Sequence, residues 1–135
     1  MNELEKKYQR YLFNREPQIV LDILNGITDC VDHIQSLDLR ELKEGLSREN
    51  FIRECISIVV RLPRQYGNTA IVRGLHSRFE NSIAINHNCS FDYKGINPEY
   101  KKDNVVIIDD YSFFTKEELL KVFDCTDGSV YVFIG

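Results

Sequence analysis

The segment 61–70 contains residue types that bind phosphate in many proteins. It follows the apolar run 55–60, ends with Gly67, one further residue and Thr69, and leads into a segment with helical spacing over 69–79. In a turn between a buried strand and a helix, backbone N–H groups point towards an anion. The start of the helix adds a partial positive charge. This segment therefore predicts a site for a phosphate-bearing ligand.

The usual phosphate-loop pattern, G-x-x-x-x-G-K-[ST], matches this segment only in part. Gly67 and Thr69 stand in place, whereas Leu62 replaces the first glycine and Asn68 replaces the lysine. A neutral Asn68 cannot supply the charge with which that lysine contacts the outer phosphates. No acid lies between residues 61 and 79, and the basic residues there are Arg61, Arg64, Arg73 and Arg78. Such a patch favours phosphate groups, although solvated arginines on a turn and a helix would give the same pattern.

Two acids, Asp109 and Asp110, end the apolar run 104–108. A buried strand with this ending places carboxylates at the carboxyl edge of a sheet, where open α/β sheets bind ligands. A strand that ends in two acids is common, so the signal is weak when taken alone. It gains weight because a strand, a Gly-x-Thr turn and a helix lie about forty residues upstream.

Four short runs rich in Val and Ile predict the strands of a parallel sheet, because their apolarity is continuous rather than alternating. They cover residues 55–60, 82–86, 104–108 and 130–134. Helices at 69–79 and 115–123 separate the first two and the last two strands, and Thr115 with Glu118 forms a capping box. Residues 87–103 have no clear periodicity and predict a loop. The fold class is therefore α/β, with a small parallel sheet of about four strands and flanking helices.

Residues 1–50 follow a different sequence pattern. Residues 1–50 predict an N-terminal helical extension, packed with the α/β core of residues 51–135 into one unit. A charged helix over 2–14 is expected to break before Pro17, because the residue before a proline disfavours helical backbone. A second helix then begins and buries a stripe of apolar residues within 19–34.

A short third helix follows, through Leu46. Ser36 or Asp38 is its expected N-cap, and Asp38 is favoured because an acid stands three residues further on. Two interpretations remain for Ser47. It belongs either to the connection into the first strand or to the cap of another helical turn through Phe51.

Length and charge narrow the classes of function. The chain has 135 residues, which suits one domain and is enough to bury a core. Its net charge of −4 does not favour nucleic acid as a partner. No apolar run approaches the roughly 18 residues of a membrane helix, and residues 1–7 lack the apolar centre of a signal peptide. We therefore expect a cytoplasmic protein without a membrane partner.

The four cysteines are widely spaced, and no two of them form a C-x-x-C pair. In a chain without a signal peptide, this spacing favours reduced core cysteines over disulfides. His87 and Cys89 offer two metal ligands, but a second pair is absent. A loop or strand end is therefore the favoured interpretation of these two residues.

Together, the two polar segments resemble the ATPase domains of phage large terminases and related helicase-like motors. Segment 63–69, Pro-Arg-Gln-Tyr-Gly-Asn-Thr, is similar to their Arg-Gln-x-Gly-Lys-Thr form of the Walker A loop. Segment 105–114 resembles their Walker B strand, which usually ends in Asp-Glu-x-x-Phe, and 130–134 falls where they have the next strand. The resemblance covers residues 51–135. It implies a P-loop NTPase fold of the additional-strand or RecA-like class and a phage-encoded protein in the host cytoplasm.

The resemblance also implies a role for each matching residue. The nucleotide-binding residues would be Arg64, Gln65, Tyr66, Gly67, Asn68, Thr69 and Ala70. The Thr69 hydroxyl and Asp109 would bind Mg²⁺, and Asp110 would stand in place of the catalytic glutamate, with Arg64 near the phosphates as a second catalytic residue. Because Asp110 is one methylene shorter than glutamate, its reach to an attacking water is reduced.

Two functions from different classes follow from these residues. The first is Mg²⁺-dependent binding of ATP or a related triphosphate, with weak or no hydrolysis. The alternative is a catalytically dead P-loop-like module or inhibitor that acts on a motor, helicase or packaging assembly. Nucleic-acid binding through the arginine patch is a third reading, without a stacking-aromatic motif to support it. An unrelated α/β domain with a glycine turn and an acidic strand end would share much of the pattern.

Overall fold

The structure is a computed structural model that describes the backbone of residues 3–62, 68–86 and 104–135, and the side chains of 18–62, 70–86 and 104–135. The elements, in chain order, are α1 (Glu3–Ser36), α2 (Arg40–Gly45), α3 (Arg48–Cys55), β1 (Ser57–Val60), α4 (Asn68–Arg78), β2 (Ser82–Asn86), β3 (Val105–Asp109), a 3₁₀ turn (Tyr111–Phe113), α5 (Lys116–Cys125) and β4 (Val130–Ile134). The predicted loop 87–103 lies outside the described residues.

The four strands form one all-parallel sheet in the order β1-β4-β3-β2. The predicted α/β class with a small parallel sheet and flanking helices is therefore confirmed. At the carboxyl edge, the register aligns Val60, Ile134, Asp109 and Asn86 in one row across the sheet. Two strands have the predicted bounds, 82–86 and 130–134, and β3 is shifted by one residue.

The central strands β3 and β4 are buried on both faces, as their continuous apolar sequences predict. Val105 and Ile107 of β3 pack on the side of α1 and α4, whereas Val106 and Ile108 pack on the side of α3 and α5. The edge strand β1 is more open, and Val59 has 54% of its surface exposed. The sheet is thus the middle layer of three, with a helical layer on each face.

On one face, α4 packs between the sheet and α1. Ile71 and Leu75 of α4 are fully buried there, together with Val31 of α1. The two helices approach closely at Gly74, where an added Cβ would lie 2.7 Å from Leu24 Cδ1. A glycine at this point of α4 therefore allows α1 to reach the core.

On the other face, α3 and α5 are joined through Arg48. Its Nε donates to the carbonyl of Phe123 at 3.1 Å, and its Nη2 donates to the carbonyls of Phe123 and Thr126. These carbonyls belong to the end of α5, where helical carbonyls lack partners within the helix. Below them, the ring of fully buried Tyr131 meets Phe123 edge to face at 5.5 Å. Arg48 thereby positions the helix that leads from β3 to β4.

The predicted break before Pro17 is wrong, because α1 continues from Glu3 to Ser36. A proline inside a helix costs about 3 kcal/mol. The helix beyond it is held by burial of Leu24, Ile27 and Val31, at roughly 1.5–3 kcal/mol each. Once that part is formed, the preceding turns extend an existing helix and require no new nucleus.

The caps of the next two helices differ from the favoured predictions. Leu39, and not Asp38, is at the N-cap position of α2, although Asp38 Oδ1 accepts a hydrogen bond from the backbone N–H of Arg40 at 3.3 Å. Ser47 is the N-cap of α3, and its hydroxyl accepts from the N–H of Asn50. The second interpretation of Ser47 is thus confirmed. Because α3 extends to Cys55, the first strand starts at Ser57 and not at residue 55.

Thr115 is the N-cap of α5, as predicted, and its hydroxyl accepts from the N–H of Glu118 at 3.2 Å. The cysteines were expected in the core, which is wrong for Cys30, because it is exposed, and Cys55 and Cys125 are only half-buried. All three are free thiols, and Cys89 lies outside the described residues. Among the described helices, none has both the length and the apolar composition needed to cross a membrane.

The close approach of α1 and α4 generates a stability prediction. We expect Gly74→Leu to lower the free energy of unfolding by roughly 1–3 kcal/mol, because the new side chain must displace Leu24 from the core. Urea unfolding followed by far-ultraviolet circular dichroism measures the change. The control is Gly26→Ala in α1, where an added Cβ meets no atom within 4 Å. Its higher helix propensity should raise stability by up to about 1 kcal/mol. Equal effects of the two substitutions would contradict this account of the helix contact.

Candidate functional site

The candidate site lies at the carboxyl edge of the sheet. After β1 the chain leads to α4 on one face, and after β3 it leads to α5 on the other face, with β4 between the two strands. Where neighbouring connections diverge to opposite faces, a crevice opens outside the carboxyl ends of the strands, and ligands of α/β proteins bind there. The row of Val60, Ile134, Asp109 and Asn86 lies at this edge, where such a crevice is expected.

Asp109 is the buried acid of this edge. It is the last residue of β3, and only 6% of its surface is exposed. The side-chain amide of Asn86, its register partner on β2, donates to Asp109 Oδ2 at 3.1 Å. The other oxygen, Oδ1, is buried and has no hydrogen-bond partner among the described residues. Buried polar atoms in native proteins nearly always have a partner, and a water molecule or a bound cation would supply one here.

The surroundings of Asp109 disfavour its negative charge. Burial raises the pKa of this carboxyl above its ordinary value, and the nearby charge of Asp110 raises it further. Hydrogen bonds from the backbone N–H of Asp110 and the amide of Asn86 lower the pKa but do not offset the first two effects. A cation at Oδ1 would relieve both the burial cost and the repulsion. The electrostatics of Asp109 therefore suit a metal ion or another positive group.

Asp110 has an unusual backbone conformation. Its φ of 52° and ψ of 43° place it in the left-handed region, and it is the one non-glycine residue with positive φ in the described part of the chain. Its carbonyl accepts a hydrogen bond from the N–H of Phe113 at 3.0 Å and so begins the 3₁₀ turn. Aspartate tolerates this conformation better than most residues, but such strain concentrates at functional sites. The turn keeps a second carboxylate next to the buried one.

Tyr111 connects this acidic turn to β1. Its hydroxyl accepts a hydrogen bond from Arg61 Nε at 2.7 Å, and its ring meets Phe133 edge to face at 5.9 Å. The same ring lies over Gly135, where an added Cβ would be 2.6 Å from Tyr111 Cδ1. Arg61 and Tyr111 thus bridge the end of β4 at this edge of the sheet.

Sequence reasoning missed this bridge. Arg61 was visible as part of a basic patch, but its partner lies fifty residues away in the chain. The available signals were weak: a tyrosine directly after the two acids and a glycine directly after the last strand. Only the strand order, which places β4 between β1 and β3, brings the three residues together.

The phosphate-loop residues are described in part. Arg64, Gln65, Tyr66 and Gly67 lie outside the described residues. The backbone of Asn68 and Thr69 forms the start of α4, followed by exposed Ala70, and no acid lies in this first turn. Because α4 follows β1, its N-terminus and partial positive charge belong to the same edge as Asp109. The binding roles of residues 64–70 stay predictions.

The residues present fit Mg²⁺ better than zinc. Within the described residues, no group of three or more His, Cys, Asp or Glu side chains could hold a metal ion. Zinc sites require such a group, whereas Mg²⁺ keeps several waters and binds through one or two carboxylates plus substrate phosphates. Asp109 Oδ1 and the adjacent Asp110 offer oxygen ligands of this kind.

A second concavity, with a volume of about 400 Å³, lies at the opposite edge of the sheet. Its lining includes Ile56 and Gly128, which precede β1 and β4. Charged groups in this lining pair with one another, since Arg48 contacts Asp127 at 3.5 Å and Arg40 contacts Asp38 at 3.0 Å. Nothing comparable to the partnerless oxygen of Asp109 occurs among its described residues. We therefore assign the candidate site to the carboxyl edge.

Comparison with known proteins provides no relative for this chain. No family model matches it, and neither the curated proteins nor the solved structures give a significant match. The resemblance to terminase ATPases stays a prediction, and the assignment of the site depends on its geometry.

The buried charge of Asp109 leads to a prediction on stability and pH. Since its pKa is raised in the folded state, the wild type loses stability as pH rises through that pKa. Asp109→Asn removes the charge at similar shape. Near neutral pH we expect it to raise the free energy of unfolding by on the order of 1 kcal/mol, because it removes the buried charge and its repulsion from Asp110, and one pKa unit corresponds to about 1.4 kcal/mol. Near pH 4, where the wild-type carboxyl approaches its neutral form, the gain should shrink.

Urea unfolding at several pH values measures this difference. The control is Asp124→Asn, which removes an exposed carboxylate from α5 and should show no such pH-dependent gain. A destabilised Asp109→Asn protein at neutral pH would contradict the assignment of an uncompensated charge.

Proposed function

We propose that this protein binds a nucleoside triphosphate of the ATP type together with Mg²⁺ at the carboxyl edge of its sheet, and hydrolyses it slowly or not at all. The observation that carries the proposal is Asp109: a nearly buried carboxylate with one partnerless oxygen, next to Asp110, at the end of a central strand. An acid in this state reduces stability unless a ligand uses it.

The remaining groups at this edge have complementary roles. Backbone N–H groups at the start of α4 favour phosphate, because the first turn of a helix has unpaired donors and a partial positive charge. Asp109 would hold Mg²⁺, directly or through water, with Thr69 as a further ligand, and Asp110 would lie beside them in place of the catalytic glutamate. When bound, Mg²⁺ neutralises charge on the phosphates. Asn86 fixes one oxygen of Asp109 and so leaves the other free for the ion.

Two side chains would make hydrolysis of a bound triphosphate slow. Asn68 lacks the charge that lysine would offer to the outer phosphates, and the loss of one such stabilising group commonly lowers the rate about 10²-fold or more. Asp110 has a shorter side chain than the glutamate that it would replace, which weakens its hold on an attacking water. Nucleotide binding requires neither a lysine at residue 68 nor a glutamate at residue 110. We therefore propose binding and not fast hydrolysis.

The second candidate function is a nucleotide-free binding module in a motor, helicase or packaging assembly. Two apolar side chains favour it: Val59 on the free edge of β1 is 54% exposed, and Phe113, beside the acidic turn, is 63% exposed. Exposed apolar groups near a sheet edge suit a protein contact. The nucleotide-free module would make no use of Asp109. A measurement of nucleotide binding therefore distinguishes the two candidate functions.

Thermal unfolding with ATP and Mg²⁺ tests the proposal. A ligand that binds only the folded state raises the melting temperature; at ten times its dissociation constant it stabilises by about 1.4 kcal/mol. For a domain of this size we expect a rise of about 5 °C. The rise should depend on Mg²⁺ and should be lost in Asp109→Asn and reduced in Thr69→Ala. Asp124→Asn should behave as the wild type. The absence of any rise at millimolar ATP would support the nucleotide-free module instead.

Introducing a lysine at residue 68 tests whether this loop binds phosphate. We expect Asn68→Lys to tighten ATP binding by about tenfold or more, because the new charge meets the outer phosphates. Titration calorimetry measures the affinity, and phosphate release measures any gain in turnover. The control is Asn50→Lys, which adds the same charge at an exposed position of α3. Equal gains for the two variants would assign the effect to net charge and contradict a phosphate site at residue 68.

A further inference from the structure

Arg61 is held at the carboxyl edge by one nitrogen of its guanidinium group. Its Nε donates to the hydroxyl of Tyr111 at 2.7 Å. Its two terminal nitrogens, Nη1 and Nη2, make no hydrogen bond or ion pair with the part of the chain that the structure describes. Anchoring through Nε orients the planar group and leaves its outer N–H groups available, which is the arrangement that binds phosphate oxygens in pairs.

The position of Arg61 connects it to the candidate site. It is the first residue after β1, and Tyr111 follows Asp110 at the end of β3. The two strands are separated by β4, a span of about 10 Å. The Arg61–Tyr111 pair therefore crosses the crevice above the end of β4 and brings a positive charge to the edge where α4 begins.

The bridge requires glycine at the end of β4. Because the Tyr111 ring lies directly on Gly135, any side chain at that position would displace the ring. The backbone of Gly135 is itself fixed, since its N–H donates to Val60 at 3.0 Å and its carbonyl accepts from Leu62 at 3.1 Å. Tyr111 is further held against Phe133. Arg61 is thus oriented before any ligand arrives, which lowers the ordering cost of binding.

We propose that Arg61 binds the outer phosphate groups of the nucleotide and supplies the positive charge that Asn68 does not. This inference rests on the function proposed above and specifies its ligand. The planar guanidinium group of Arg61, with its two outer nitrogens, favours a chain of phosphates over a single phosphate. The site should therefore prefer triphosphates to diphosphates and should also bind inorganic tripolyphosphate.

The test compares Arg61→Gln with the wild type by titration calorimetry, using ATP, ADP and inorganic tripolyphosphate, each with Mg²⁺. We expect about a tenfold or greater loss of affinity for ATP and tripolyphosphate, and a smaller loss for ADP. Arg61→Lys should recover only part of the affinity, because an ammonium group lacks the fork. Tyr111→Phe keeps the ring over Gly135 and removes the anchoring hydroxyl, so its loss should be intermediate.

Arg40→Gln is the matched control, since it removes the same charge from an exposed arginine of α2. It should leave all three affinities within about twofold of the wild type. Salt dependence adds a readout that a purely structural role would not change: affinity for ATP should fall less steeply with salt in Arg61→Gln. Unfolding midpoints of all variants identify any that fail to fold.

The outcomes separate this inference from the proposed function. If the wild type binds ATP and Arg61→Gln binds it equally well, the role of Arg61 is wrong and the proposed function stands. If tripolyphosphate binds in an Arg61-dependent way but ATP does not bind, Arg61 is a phosphate ligand and the nucleotide assignment fails. If the wild type binds neither ligand, both proposals fail.

Discussion

Burial of β3 and β4 on both faces is the constraint on which the rest of this structure depends. All five positions of each strand are buried, which requires a helical layer on each side of the sheet. Parallel strands also require long connections, and here α4 and α5 run on opposite faces. In open α/β sheets such divergence is where a ligand crevice forms, at the carboxyl edge. The candidate site is thus a consequence of how the core is covered, and it lies at the end of the most buried part of the sheet.

The same burial explains why Asp109 differs from an ordinary strand-terminal acid. The strand Val105–Ile108 is fully buried, and the first polar residue after it remains inside the protein. Asn86 satisfies one carboxylate oxygen because the parallel register places it beside Asp109. Within the described part of the chain, no equivalent group reaches the second oxygen. A solvent-exposed carboxylate would have water at both oxygens, so a buried carboxylate whose Oδ1 has no donor among the described residues favours a ligand at that atom.

Sequence patterns predicted the elements better than their arrangement. Continuous apolar runs marked β2 and β4 to the residue, and Thr115 marked the start of α5, because both signals depend on local chemistry. The helix break predicted at Pro17 is wrong, because tertiary packing of α1 outweighs the local preference of proline against a helix interior. The acids at 109–110 were visible, but the partnerless oxygen was not, because it depends on what surrounds the strand. The contact of Arg61 with Tyr111 depends on strand order, which no local pattern encodes.

The balance of charge at the carboxyl edge explains why binding and turnover are separate questions for this protein. Two adjacent acids suit a cation but repel a triphosphate, so anion binding needs positive groups on the other side of the crevice. The helix start provides partial charge, and Arg61 provides a full one in an exposed position. Neither replaces a lysine within the loop itself, where charge develops during phosphoryl transfer. Under the proposed function, this edge would hold Mg²⁺ and phosphates while stabilising the transition state little more than the ground state, which would give affinity without a fast reaction.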